Sequence, residues 1–172
     1  MTRNPQSTAQ IAGHPIHPML IPFPIASFVG AFVSDLAFWN TGNEFWATAS
    51  LWLLGVGLIM AALAAVAGSI DLFGDNRVMK LGTAHIHAGG NVVVVLIELY
   101  NWYTRYANGN GVIVPTGLLL SFLSVALLLV TGWMGWKLVY EHRVGISDDG
   151  ATAPESLGLA GERSGVVRDI RR

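Results

Sequence analysis

Five histidines, His14, His17, His85, His87 and His142, and three carboxylates inside apolar surroundings, Asp35, Asp71 and Glu98, are the residues of this chain whose types suit chemistry. Neutral imidazole ligates iron, copper, zinc or nickel, and two imidazoles on facing elements hold a haem from both sides. The chain has no cysteine, so thiolate metal sites and cysteine-held iron–sulfur clusters are excluded within it, and a haem bound here is non-covalent and of b type. There is no Ser-His-Asp constellation, phosphate loop or zinc-protease motif, and no residue is assigned a catalytic role. The chain reads more as an electron-transfer or binding protein than as a catalyst with its own substrate.

The surroundings of these residues are unusual for a soluble domain. Of 172 residues 52% are apolar and only 12% charged, against about 25% charged in soluble chains. The net charge of −1 suggests no affinity for nucleic acid. Four apolar segments, at about 19–40, 46–72, 84–105 and 113–141, each approach or exceed the roughly 20 residues that a helix needs to cross a bilayer. The connections "TGNE", "FGDNRVMKLG" and "ANGNG" are short and rich in turn residues, so consecutive helices run antiparallel. The expected fold is an all-α integral membrane protein with four transmembrane helices in an up-down bundle. Its divisions are an N-terminal His-Pro strap over 1–18, the membrane domain over 19–146 and a flexible cytoplasmic tail over 147–172.

Arg3, Arg77, Lys80, Lys137 and Arg143 fall on one side with the tail arginines, and Arg105 alone on the other, which places both termini in the cytoplasm by the positive-inside rule. Trp39, Trp46, Trp52, Trp102, Tyr100, Tyr103 and Tyr106 crowd the opposite ends as an aromatic belt. In this topology all five histidines lie at the cytoplasmic end.

At about 100° per residue, His87, Asn91 and Glu98 share one face of the third span, and His85 points away. Ser124, Thr131, Gly135 and His142 form a stripe on the fourth, and Gly57, Met60, Ala64, Ala67, Gly68 and Asp71 a small-residue face on the second. Asp35, Asp71 and Glu98 are costly if charged toward lipid and are expected to face the interior, to pair or to be protonated, with Asp35 and Asp71 near enough to span ends to be interfacial. For a haem, Gly89 and Gly90, the aromatic rings of Phe23, Trp133 and Trp136, and the rim cations Arg77, Lys80 and Arg143 are the candidate surroundings, with Asp71 orienting a ligating ring through its other nitrogen. The alternatives are a transition-metal-binding or transport protein, its ion held by His14 or His17, His87, His142 and a carboxylate with Glu98, Asn91 and Asp35 lining a path, and histidines that only pack in a structural or assembly subunit.

The motifs "GHPIHPMLIPFPI" (13–25), "HAGGN" (87–91) and "GWMGWKLVYEHRVGI" (132–146) resemble the bacterial membrane proteins classed as domain of unknown function 2231, over about residues 12–147. Many members carry His-Phe-Pro where this chain has Pro22-Phe23-Pro24, which takes position 22 out of any ligand role. The resemblance implies four spans, a bacterial inner membrane and, because some members are joined to Rieske-type iron–sulfur domains, an electron-transfer setting with a Rieske-type or cytochrome partner; it is compatible with a homo-oligomer. The leading expectation is a b-type haem with His87 as one axial ligand and His17 or His142 as the other, His14 and Asn91 lying close by. Finally, His14, His17, Ile21 and Phe23 each precede a proline, which biases them toward extended backbone. The strap is therefore expected to be extended and separate from the first turn of span one, lying over the mouth of the bundle.

Overall fold

The computed structural model describes residues 4–146; Arg3 and the tail over 147–172 lie outside the described residues. A hairpin of β1 (Gln10–Ile11) and β2 (His14–Pro15) leads into the short helix α1 (Ile16–Leu20) and then α2 (Pro22–Thr41), α3 (Glu44–Gly74), the single turn α4 (Asn76–Met79), α5 (Gly82–Asn108) and α6 (Leu118–Tyr140). Four helical stretches, Ile16–Thr41, Glu44–Gly74, Gly82–Asn108 and Asn110–Tyr140, are long and apolar enough to cross a membrane.

The turns between them have local causes. Gly42 ends α2 in the left-handed conformation (φ 65°) that a side chain disfavours, its N–H bonding Phe38 O at 2.8 Å. Asn43 then caps α3, its side chain accepting from the Phe45 N–H at 2.9 Å. Asp75 does the same for α4 through the Arg77 N–H. Before α6, Val114 is extended (φ −115°, ψ 123°), as a residue preceding proline should be.

The His-Pro segment departs from the expected extended strap. Helix begins at Ile16, so His17 and Pro18 sit in α1, and Pro22 and Pro24 occupy the first turn of α2. Proline is tolerated there because the first N–H groups of a helix have no partner within it, so the ring removes no bond. Only residues before Ile16 form a strap. Its hairpin turns at Ala12 and Gly13, both at positive φ, the backbone of a tight two-residue turn.

Helix α2 packs on α3 and α5 on α6, and the contacts α2 to α6 and α3 to α5 close the ring. The centre is a small apolar layer of Phe28, Ala31, Leu54, Ala61 and Val94. Gly57 lets α2 approach α3, since a Cβ there would lie 2.6 Å from the Phe28 ring. Otherwise the bundle is inverted relative to a soluble one. Ser27, Ser34, Ser50, Ser121, Ser124 and Thr131 are buried, while Trp52 (71% exposed) and Leu129 (74% exposed) stand on the outside with Ile59 and Leu96. Water would not favour that distribution, and a bilayer does.

Candidate functional site

At the end of the bundle where the strap lies, His17 of α1 and His87 of α5 face each other with ring centroids 6.2 Å apart and planes at 90°. His17 Nδ1 donates to Ala64 O of α3 at 2.8 Å. His87 Nδ1 donates to Thr131 O of α6 at 2.8 Å. A carbonyl can only accept, so each Nδ1 carries its hydrogen and each Nε2 keeps a lone pair in the neutral ring, that of His87 facing the Asn91 amide at 3.4 Å.

Two glycines make room for these rings. A Cβ on Gly68 would lie 2.9 Å from His17 Nδ1, and one on Gly135 would lie 3.1 Å from His87 Cε1. Gly90 makes similar space, a Cβ there falling 2.5 Å from Thr131 Cγ2. Asn91 completes the setting. Its Nδ2 donates to His87 O at 2.8 Å and lies 3.4 Å from His87 Nε2, and its Oδ1 accepts from Thr131 Oγ1 at 3.2 Å.

The other residues singled out in the sequence lie elsewhere. His14 is exposed in the hairpin, with Nδ1 donating to Ala12 O at 3.0 Å. His142 follows α6, half-buried, and has no ring contact with His17 or His87. His85 is exposed and bonds Met79 O through Nε2 at 2.7 Å, consistent with its pointing away. Phe23, Trp133 and Trp136 stand on the outer surface, so they do not wall the histidine pair. Arg77 is paired with Asp75 at 2.6 Å, and Lys80 and Arg143 are exposed.

Asp71 does not orient an imidazole. Its Oδ1 accepts from Ser7 Oγ, the Thr8 N–H and the Ala9 N–H, each at 2.8 Å. It thereby ties the strap to α3 one turn beyond Gly68, and Ile16 N–H bonding Ala9 O at 2.9 Å carries that anchorage into the helix of His17. The strap's other end is fixed where Gly145 N–H bonds Pro5 O at 2.9 Å.

A second polar cluster occupies the opposite end of the interior. The Arg105 guanidinium bonds both oxygens of Asp35, Nη1 to Oδ1 at 2.6 Å and Nη2 to Oδ2 at 2.7 Å. Ser50 Oγ donates to Asp35 Oδ1 at 2.6 Å and Ser121 Oγ to Oδ2 at 2.7 Å. Arg105 Nε donates to Asn101 Oδ1 at 2.9 Å, and Asn101 Nδ2 in turn donates to Glu98 Oε2 and Ser121 Oγ, both at 3.0 Å. Asp35 is wholly buried rather than interfacial, and Arg105, which the sequence places at the far end of the third span, is a core residue at 4% exposure. Arg105, Asn101, Ser50 and Ser121 were not among the sequence candidates. The signal for two of them was present: Glu98, Asn101 and Arg105 follow His87 and Asn91 along one face of α5.

An inverted four-helix bundle with polar groups turned inward defines a multi-pass membrane protein. The chain belongs to the family of predicted membrane proteins classed as DUF2231, whose pattern matches residues 13–148. No curated protein and no solved structure matches it.

Proposed function

We propose that the protein is a small membrane redox subunit that binds a b-type haem through His17 and His87 and passes electrons to a Rieske-type or cytochrome partner. The observation that carries this reading is the crossed imidazole pair with both Nδ1 atoms anchored to backbone. Metal-binding histidines use their second nitrogen in this way, to fix the ring and leave Nε2 for the metal. His17 and His87 would be the residues that hold such a group, with Gly68 and Gly135 giving their rings room against the neighbouring helices. When bound, such a group supplies one-electron chemistry.

This chain's residues would hold, orient and shield that group. His17 is positioned by Ala64 and by the strap, His87 by Thr131 and Asn91. A transition-metal ion is supported less, because among the described residues no three His, Cys, Asp or Glu side chains converge, and a lone ion needs three or four protein ligands. Arg77, Lys80, Lys137 and Arg143 all belong to the histidine end. With Arg105 accounted for in the core, they support placing that end in the cytoplasm of a bacterial inner membrane.

The reading is tested by expressing the protein in haem-replete cells and recording oxidised and reduced spectra of the purified protein. A Soret band that shifts on reduction is expected; its absence in both states overturns the proposal.

A further inference from the structure

Glu98 poses a question that the histidine pair does not answer. Its carboxyl is completely buried, and Asn101 satisfies only one of its oxygens. Oε1 has no hydrogen-bond partner, and neither has Ser124 Oγ, which is equally buried on α6. The Ser124 hydroxyl lies beside the carboxyl but outside hydrogen-bond geometry with it. Two unpartnered polar atoms thus sit side by side in a lipid-embedded interior, where such atoms are rare and costly.

The charge balance sharpens the question. The groups acting on Glu98 are Asn101 of α5 and Ser124 of α6 beside it and, further off, the Arg105 and Asp35 charges, the last two paired with each other and with Ser50 of α3 and Ser121 of α6. Asp35 and Arg105 form a closed doubly bonded pair and cancel. An ionised Glu98 would therefore leave one uncompensated negative charge in the core. A bound proton removes that charge and also turns Oε1 from an orphan acceptor into a donor that Ser124 can accept.

We infer that Glu98 and Ser124 form a proton-binding site within the membrane domain, the proton residing on Oε1 and directed at Ser124 Oγ. The site is separate from the histidine pair. Between them α5 presents Val94, packed in the apolar layer with Phe28, Ala31 and Leu54, and eleven residues of helix amount to about 16 Å. Toward the other end the polar cluster is continuous through Asn101 to Arg105, Asp35, Ser50 and Ser121. Exchange of the proton with water accordingly proceeds from the Arg105 end, by uptake onto the carboxylate and release from the acid with no redox change. The inference does not rest on haem binding.

Infrared spectroscopy of the full chain in lipid at neutral pH tests it. The wild type should show a carboxylic-acid carbonyl stretch that moves in D2O, and the band should vanish in Glu98→Gln. Ser124→Ala, a milder change, should keep the band and raise its frequency through loss of the hydrogen bond. An acid band unaltered by Glu98→Gln, no acid band in the wild type, or a band indifferent to Ser124→Ala would each overturn the assignment.

Discussion

The Asp35 carboxylate and the Arg105 guanidinium, 70 residues apart in sequence, meet in a doubly hydrogen-bonded pair with both side chains almost wholly out of solvent. Bidentate geometry and the hydroxyls of Ser50 and Ser121 satisfy the carboxylate on both oxygens. Such a pair specifies which helices meet more than it stabilises them, because desolvating two charges offsets much of their attraction.

Breaking it from one side is a different matter. Arg105→Met strands a buried carboxylate and should cost about 3–5 kcal/mol. Replacing Asp35 as well should recover much of that loss. Thermal unfolding in detergent of the two single variants and the double variant measures the coupling, and simple additivity of the two losses would show the pair to be incidental.

Gly68→Ala places a methyl where the His17 ring now lies, 2.9 Å from Nδ1. Overpacking of this kind costs typically 1–3 kcal/mol, and here it pushes Nδ1 off Ala64 O. The expected result is a moderate fall in melting temperature with a disproportionate loss of haem occupancy. Gly82→Ala, where a Cβ meets nothing within 4 Å, is the control and should leave occupancy intact.

Asp71→Ala removes the acceptor that Ser7, Thr8 and Ala9 share. Hydrogen bonds to a charged group contribute about 1.5–3 kcal/mol, enough to free the strap without unfolding the bundle. Limited proteolysis should then cut within residues 5–13 much faster than in the wild type, while α3 stays protected.

Asp75 gives a pH signature outside the spans. Its hydrogen bond to the Arg77 guanidinium, foremost among the causes, holds its carboxyl down from 3.8 to about 2. A lowered folded pKa means that the contribution to folding is complete above the unfolded value and is lost as pH falls through the folded one. The α4 turn should therefore loosen between about pH 4 and pH 2, and an NMR titration of Asp75 should find its midpoint in the lower part of that window. Asp75→Asn, which keeps the N-cap and loses the charge, should abolish that transition.

Much of this architecture was legible from the sequence, since four apolar stretches near bilayer length leave few folds open. His87, Asn91, Thr131 and Gly135 could be grouped because helical periodicity puts each pair on one face. What periodicity does not report is which face meets which. His17 lies in a proline-rich segment that local preference reads as extended, yet prolines confined to the first turns of α1 and α2 cost those helices no hydrogen bond. Arg105 closes the third apolar segment, three residues from an "NGNG" turn, and the sequence counts it only as a charge on the far side; its partner in α2, 70 residues away, makes it a core residue. The sequence suggests Asp71 as a partner of imidazole because carboxylates often orient one. Its acceptors' donors lie on a strap whose fold depends on contacts at both ends.

The most direct test of the account is electron paramagnetic resonance of the ferric protein in wild type and four single histidine variants. Axial ligation by His17 and His87 predicts a low-spin bis-imidazole signal that turns high-spin, or disappears with the haem, in His17→Ala and His87→Ala and is unchanged in His14→Ala and His85→Ala. A haem signal indifferent to both His17→Ala and His87→Ala, or a wild-type protein with no haem signal at all, would contradict it.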